Sequence, residues 1–135
     1  MLTESDITVI NRVYDKTTRL DGLVCTHIYG AHWEDTKAAN VIKSGMKDAD
    51  KTTVYIPFKA RVGGGKSYRP PLEFKKAPKG CFTLREGDFI VKGIAEYSGS
   101  AAKLEEAFDS VITINSVDTY DYGSPYLRHW EVSGG

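Results

Sequence analysis

Three side chains near one another in the sequence, Cys25, His27 and His32, are of types that bind transition metals. Cys25 and His27 are two residues apart, so on a β-strand both would point to the same face, as two ligands of one ion must. A tetrahedral zinc site usually takes two such pairs, and only one is present. The pattern therefore favours a buried thiol and a surface imidazole over a metal site, and we expect no cofactor.

A thiol nucleophile is the second chemistry that the residue types allow, with Cys25 or Cys81 paired to His129. Neither cysteine lies in a context that lowers a thiol pKa, such as the start of a helix. The two cysteines could form one disulfide or remain free. The first residues, MLTESDIT, lack the basic and apolar regions of a signal peptide, which favours free thiols. The sequence predicts a protein that is not an enzyme.

The run Gly63-Gly64-Gly65-Lys66-Ser67 resembles a phosphate-binding loop in composition only. The motif G-x-x-x-x-G-K-[ST] needs a glycine five residues before Gly65, and Ala60 stands there. No long helix is predicted after it to supply a dipole. A flexible basic loop is the favoured interpretation.

These glycines belong to a longer basic segment, residues 59–80. It has one acidic residue, Glu73, and seven basic ones: Lys59, Arg61, Lys66, Arg69, Lys75, Lys76 and Lys79. Its net charge is +6, whereas the whole chain, with 18 basic and 18 acidic residues, is neutral. The remainder therefore carries −6. We expect a long loop whose basic residues face a partner or DNA, with Tyr68 and Phe74 placed to stack on bases.

Strands predominate among the elements that must position these groups. Alternation and β-branched content predict strands over 2–14, 23–33, 52–58 and 89–94, and a terminal hairpin over 111–132. Alternation slips by one near His27 and Ile28, which indicates a β-bulge. Pro57 should end its strand or place it at an edge. Residues 34–50 read as a loop with a helical turn at 37–41. One short helix is predicted at about 101–109, capped by Ser100.

The terminal hairpin supplies the predicted core, Ile112, Ile114, Trp130 and Val132, and puts Arg128 and His129 near an interface. We predict a single domain over 1–135. It should be mainly β, a small β-barrel or sandwich with one short helix (about 101–109) and a long basic loop (59–80). Hydrophobic residues make up 41% of the chain and charged residues 27%, which is typical of globular proteins. No apolar run approaches 18 residues, so we expect no membrane contact.

Several segments, taken in order, carry a resemblance to a known family: ITVINR, LVCTHIYGAHW, TVYIPF, LREGDFIVKG and the ending ITINSVDTYDYGSPYLRHWEVSG. Together they resemble the small head–tail connector proteins, of the head-closure or stopper type, of tailed bacteriophages and prophages. The last two segments are the most distinctive. The resemblance covers most of the chain and involves no catalytic signature.

The resemblance implies a structural subunit of the virion, present in the host cytoplasm during assembly. Such subunits form a homo-oligomeric ring with portal or adaptor and tail proteins as partners, and the ring gates or passes genomic DNA. Residues 59–80 would project into the channel, where they could contact DNA non-specifically, or onto the next ring. Two other classes stay open: a nucleic-acid-binding β-barrel module, and a small metal-dependent or thiol enzyme.

Overall fold

The computed structural model describes residues 5–15, 20–36, 51–76, 79–97, 99–124 and 127–135. The strands in these ranges are β1 (Ser5–Asp15), β2 (Leu20–Thr36), β3 (Lys51–Pro57), β4 (Arg61–Val62), β5 (Ser67–Tyr68), β6 (Cys81–Phe82), β7 (Phe89–Lys92), β8 (Val111–Tyr120) and β9 (His129–Gly134). The helices are α1 (Pro71–Lys76) and α2 (Leu104–Ala107), and 3₁₀ turns lie at Gly63–Gly65 and Ala101–Lys103.

Six of the strands close into an antiparallel barrel. The order around it is β1, β7, β8, β9, β3, β2 and back to β1. The chain is therefore mainly β, and of the two predicted architectures the barrel is the one found. Closure pairs both sides of every barrel strand, which removes the open edges that a sandwich would leave.

The barrel interior is filled by alternate side chains of each strand. Each of the six strands contributes at least one residue that is 0–1% exposed: Ile7, Ile28, Val54, Ile90, Ile114 and Val132. The predicted hairpin is confirmed as β8 and β9. All four core residues predicted from it are buried.

A β-bulge in β2 exchanges the two faces of that strand. The pairing of β1 with β2 shifts between Ile7↔Ile28 and Ser5↔Ala31, and Gly30 has a φ of +90°. A positive φ is accessible to glycine at little cost. The slip predicted near Ile28 is confirmed. Its effect is that Ala31 and Trp33 enter the core while His32 lies on the outer face.

One side of the barrel exterior is covered by residues 95–97 and 99–108. Leu104 of α2 packs with Ile10, Phe89 and Val91 in a second apolar cluster, at 0–6% exposure. The short helix predicted at about 101–109 is confirmed as a 3₁₀ turn followed by α2. Ser100 occupies the N-cap position, without a hydrogen bond from its side chain.

Some element boundaries differ from those predicted. β2 runs to Thr36, beyond the predicted end at 33, because residues 32–36 pair with β3. Pro57 does end β3, as its missing N–H predicts. The helical turn predicted at 37–41 lies outside the described residues. No helix in the described ranges has the length and apolar character needed to cross a membrane.

Candidate functional site

The basic segment, residues 59–80, is more ordered than its glycine and proline content indicated, because three aromatic side chains anchor it. The Tyr68 ring lies 4.5 Å from that of Trp130, and the Phe58 ring lies 4.3 Å from the same indole. Phe74 of α1 is 1% exposed. The Tyr68 and Phe74 rings therefore pack within the fold, and neither ring is free for the expected stacking on bases.

Lys66 differs from the other predicted partner-facing residues. Its Nζ donates hydrogen bonds to the Cys25 carbonyl oxygen at 2.9 Å and to Thr26 Oγ1 at 3.1 Å. Both acceptors belong to β2, so Lys66 holds the basic segment on the barrel. A partner-facing role for Lys66 stays a prediction, and these two hydrogen bonds give the side chain a structural role as well.

The other six basic side chains of the segment are exposed. The Arg61 guanidinium lies 4.6 Å over the Tyr29 ring, and Arg69 donates to the Tyr68 carbonyl oxygen. Lys75 and Lys76 stand in the last turn of α1, with no hydrogen bond or ion pair to any other described residue. A partner-facing role for the six stays a prediction, and the structure puts five of them on residues 61–79 at one end of the barrel.

A cavity of about 390 Å³ separates the basic segment from the barrel end. Phe58, Tyr68 and Trp130 form its aromatic wall, and Lys66 lies at its margin. Among its described lining residues there is no carboxylate, histidine or cysteine. Its polar lining residues are Lys66, Ser67 and Tyr68, so a hydroxyl is present without the histidine or carboxylate that usually activates it.

The candidate catalytic and metal-binding residues are placed in three separate environments. Cys25 and His27 share the outer face of β2, as predicted, and both contact residues 95–97: Sγ lies 3.5 Å from the Tyr97 oxygen and Nε2 lies 2.9 Å from the Ala95 oxygen. His129 stacks instead on Tyr120, between β8 and β9. The structure does not bring His129 to Cys25, and Cys81 lies on β6 against β5.

The chemistry of Cys25 fits a structural role. Burial raises the pKa of its thiol, so the reactive thiolate is scarce at neutral pH. Both cysteines are free. Within the described ranges, no group of three or more histidine, cysteine, aspartate or glutamate side chains is arranged to hold a metal ion.

The barrel side opposite the covered one carries a row of polar and aromatic side chains across β2, β3, β9 and β8. We call it the acidic–aromatic face; it consists of His32, Glu34, Tyr55, Asp118, Tyr120, His129 and Glu131. Cross-strand pairing connects the row, with His32 opposite Tyr55 and Tyr120 opposite His129. The Tyr120 and His129 rings are stacked, with centroids 4.9 Å apart and planes at 13°.

Two of the three carboxylates of this face lie beside a histidine. Glu34 lies 3.7 Å from His32, and Glu131 lies 3.5 Å from His129. Asp118 and Glu131 are directly opposite on neighbouring strands, a placement that is unfavourable for two like charges. No lysine or arginine of the described chain forms an ion pair with Glu34, Asp118 or Glu131.

Sequence reasoning missed this face, although part of its signal was present. His129 and Glu131 alternate with Trp130 and Val132, so a buried Trp130 requires both polar side chains to point outward. The sequence could not show that Tyr55 and Asp118 lie beside them, because that depends on the order of strands in the closed barrel.

Replacing Glu131 with glutamine should lower the pKa of Tyr120. The Glu131 carboxylate is the main cause that raises the pKa of Tyr120, because a nearby negative charge disfavours the tyrosinate. The pKa is measured by NMR of ring-labelled tyrosine as pH rises, with Tyr120→Phe to assign the signal. Glu86→Gln, in the exposed turn before β7, is the matched control and should leave Tyr120 unchanged. An equal Tyr120 pKa in the wild type, Glu131→Gln and Glu86→Gln would contradict the geometry of the face.

Comparison with known proteins gives one family. Residues 2–135 match the model described as "Family of unknown function (DUF6751)". Neither the search of curated proteins nor the search of solved structures returned a match.

Proposed function

We propose that this chain, which belongs to the family of unknown function DUF6751, is a subunit of the ring that joins head and tail in a tailed bacteriophage or prophage particle. In this role it assembles with portal or adaptor and tail proteins in the host cytoplasm and stays in the virion. The ring gates or passes the genome. The role requires no catalytic residue and no cofactor.

The observation that carries the proposal is the separation of charge on the barrel. Residues 59–80 have a net charge of +6, and their described part forms β4, β5 and α1 beside the barrel, while the remainder of the chain carries −6. A subunit with a basic end and an acidic body is complementary to a neighbour of the same kind in a head-to-tail ring. The resemblance of the elements to head-closure proteins supports the same role.

A basic appendage also suits a channel through which DNA passes. Contacts to phosphate need positive charge and no particular base sequence. Lys75 and Lys76, exposed at the end of α1, are the side chains most available for such contacts.

A nucleic-acid-binding barrel is the second candidate, and the same exposed lysines favour it. It is weakened by the burial of Phe74 and the packing of Tyr68 on Trp130, which remove the stacking platforms that single-strand binders use. This candidate requires the isolated chain to bind DNA with an affinity that falls steeply as salt rises. A ring subunit requires no DNA affinity of the isolated chain.

The test of the proposed function is made on particles from the strain that carries the gene. After prophage induction, mass spectrometry of purified particles should detect the chain, and an epitope-directed gold label should lie between head and tail. Deletion of the gene should yield heads and tails that do not join, with joining restored by the gene supplied in trans. Particles that lack the chain, or a deletion strain that joins heads and tails normally, would refute the proposal.

A further inference from the structure

We propose that the acidic–aromatic face of one copy is the docking site for the basic segment of a second copy of this chain. The inference rests on the proposed function, in that it assigns the two surfaces through which neighbouring ring subunits meet. The occupant is a second copy because the chain itself supplies the complementary charge.

The two sides of the barrel exterior differ in what covers them. On the β1–β7 side, α2 and the residues before it cover Ile10, Phe89 and Val91. On the opposite side, the outer face of β2, β3, β9 and β8 has no covering element among the described residues. Two tyrosines and two histidines are ordered there by ring contacts of 4.9–6.2 Å.

This face carries three carboxylates, and no lysine or arginine of the described residues forms an ion pair with them. Glu131 has Asp118 opposite it on β8 and Tyr55 opposite it on β3. The groups that titrate on the face are Glu34, Asp118, Glu131, His32, His129, Tyr55 and Tyr120. A cation from outside would relieve the Asp118–Glu131 repulsion, and the ring faces offer it cation–π contact.

Lys75 and Lys76 of the second copy supply this cation. Lys75 and Lys76 are adjacent, exposed and free of ion pairs to other described residues. They stand on α1, whose position is fixed by the buried Phe74 ring, under the Arg85 guanidinium at 5.4 Å. A rigidly mounted pair of lysines loses less conformational freedom on docking than the same pair on a flexible loop.

The two surfaces lie at different places on the subunit. The basic segment leaves the barrel at Pro57, the end of β3, whereas the acidic–aromatic face lies along the barrel side. A contact between two different surfaces of identical subunits is heterologous, and it closes into a ring when the rotation allows. If the rotation between subunits does not close, the same contact gives an open filament.

The experiment is a charge swap in the full chain. The segment variant is Lys75→Glu with Lys76→Glu, and the face variant is Asp118→Lys with Glu131→Lys. Each variant alone should weaken self-association by at least about 10-fold, because like charges then meet at the contact. An equimolar mixture of the two variants, and a single chain with all four changes, should recover it. Sedimentation velocity at low and high salt gives the readout.

The matched control reverses charges on the covered side of the barrel. Lys103→Glu with Glu106→Lys exchanges the charges of two exposed residues, one in the 3₁₀ turn and one in α2, and should leave self-association unchanged. Zero-length carbodiimide cross-linking of the wild-type chain, mixed with an isotope-labelled copy, should join Lys75 or Lys76 of one copy to Asp118 or Glu131 of the other.

Three outcomes would overturn the inference: a wild-type chain that stays monomeric at high concentration without such a cross-link, failure of the mixture to recover association, or a segment variant that loses DNA binding while self-association persists. These outcomes differ from failure of the proposed function, which is decided by whether the chain is present at the joint of the particle. A chain located there whose charge swap fails would refute the contact alone.

Discussion

Replacing Trp130 with alanine is expected to lower the free energy of unfolding by about 3–5 kcal/mol. Trp130 is 8% exposed and lies in the barrel core opposite Ile56 of β3. Its indole also packs against Phe58 and Tyr68, at 4.3 and 4.5 Å between centroids. Removal therefore leaves a cavity at the barrel end and takes away the surface on which the basic segment rests.

Urea unfolding followed by far-ultraviolet circular dichroism measures this effect, since the substitution itself removes a fluorophore. Tyr122→Ala is the control, because Tyr122 is 69% exposed in the hairpin connection and should change stability by no more than about 0.5 kcal/mol. Trypsin should also cleave within residues 59–80 faster in the Trp130 variant. A loss below about 1 kcal/mol would show that the indole is not a core anchor.

The terminal hairpin was predictable because its information is local. Val111, Ile112 and Ile114 favour a pleated strand, and Trp130 and Val132 alternate with polar residues. The bulge was predictable for the same reason, since a break in alternation needs no knowledge of a partner strand.

The closure of the barrel was not predictable at this level of detail. It depends on pairing of β1 with β7, which joins Ile10 to Phe89 across nearly eighty residues of sequence. Neither strand has a sequence feature that identifies the other as its pairing partner. The register, and with it the composition of the acidic–aromatic face, follows from tertiary packing of the whole ring of strands.

The glycines and prolines of residues 59–80 predict a loop, whereas the aromatic residues between them order the described part of the segment. The sequence alone offers Tyr68 and Phe74 for stacking on bases, yet aromatic residues in a polar stretch more often pack inward. Lys66 is one of seven basic residues in the segment, and only the structure reveals the two β2 acceptors that bind its ammonium group.

The polar contact between β1 and the turn before β7 was missed entirely, and it carries the second large prediction. Asp88 is 1% exposed. Its carboxylate accepts hydrogen bonds from Asn11 Nδ2 at 2.9 Å, the Arg12 backbone N–H at 3.3 Å and Arg85 Nε at 2.7 Å. Asn11 in turn binds the Thr83 backbone through both ends of its amide. No short sequence motif joins residues 11 and 88.

Asp88→Ala should lower the free energy of unfolding by about 3–5 kcal/mol, because it removes the charged partner of Arg85 Nε and one of the two acceptors of the buried Asn11 amide. Asp88→Asn keeps the shape and part of the hydrogen bonding, so its loss should be smaller. Glu86→Ala, two residues away and exposed, is the matched control and should stay within about 0.5 kcal/mol of the wild type. Urea unfolding gives the ranking, and hydrogen exchange of the Ile114 amide, which donates to the Asp88 carbonyl oxygen at 2.8 Å, reports the local effect. If Asp88→Ala and Glu86→Ala unfold at the same urea concentration, the buried carboxylate does not hold β1 to the turn, and closure between β1 and β7 depends on strand pairing and the apolar core.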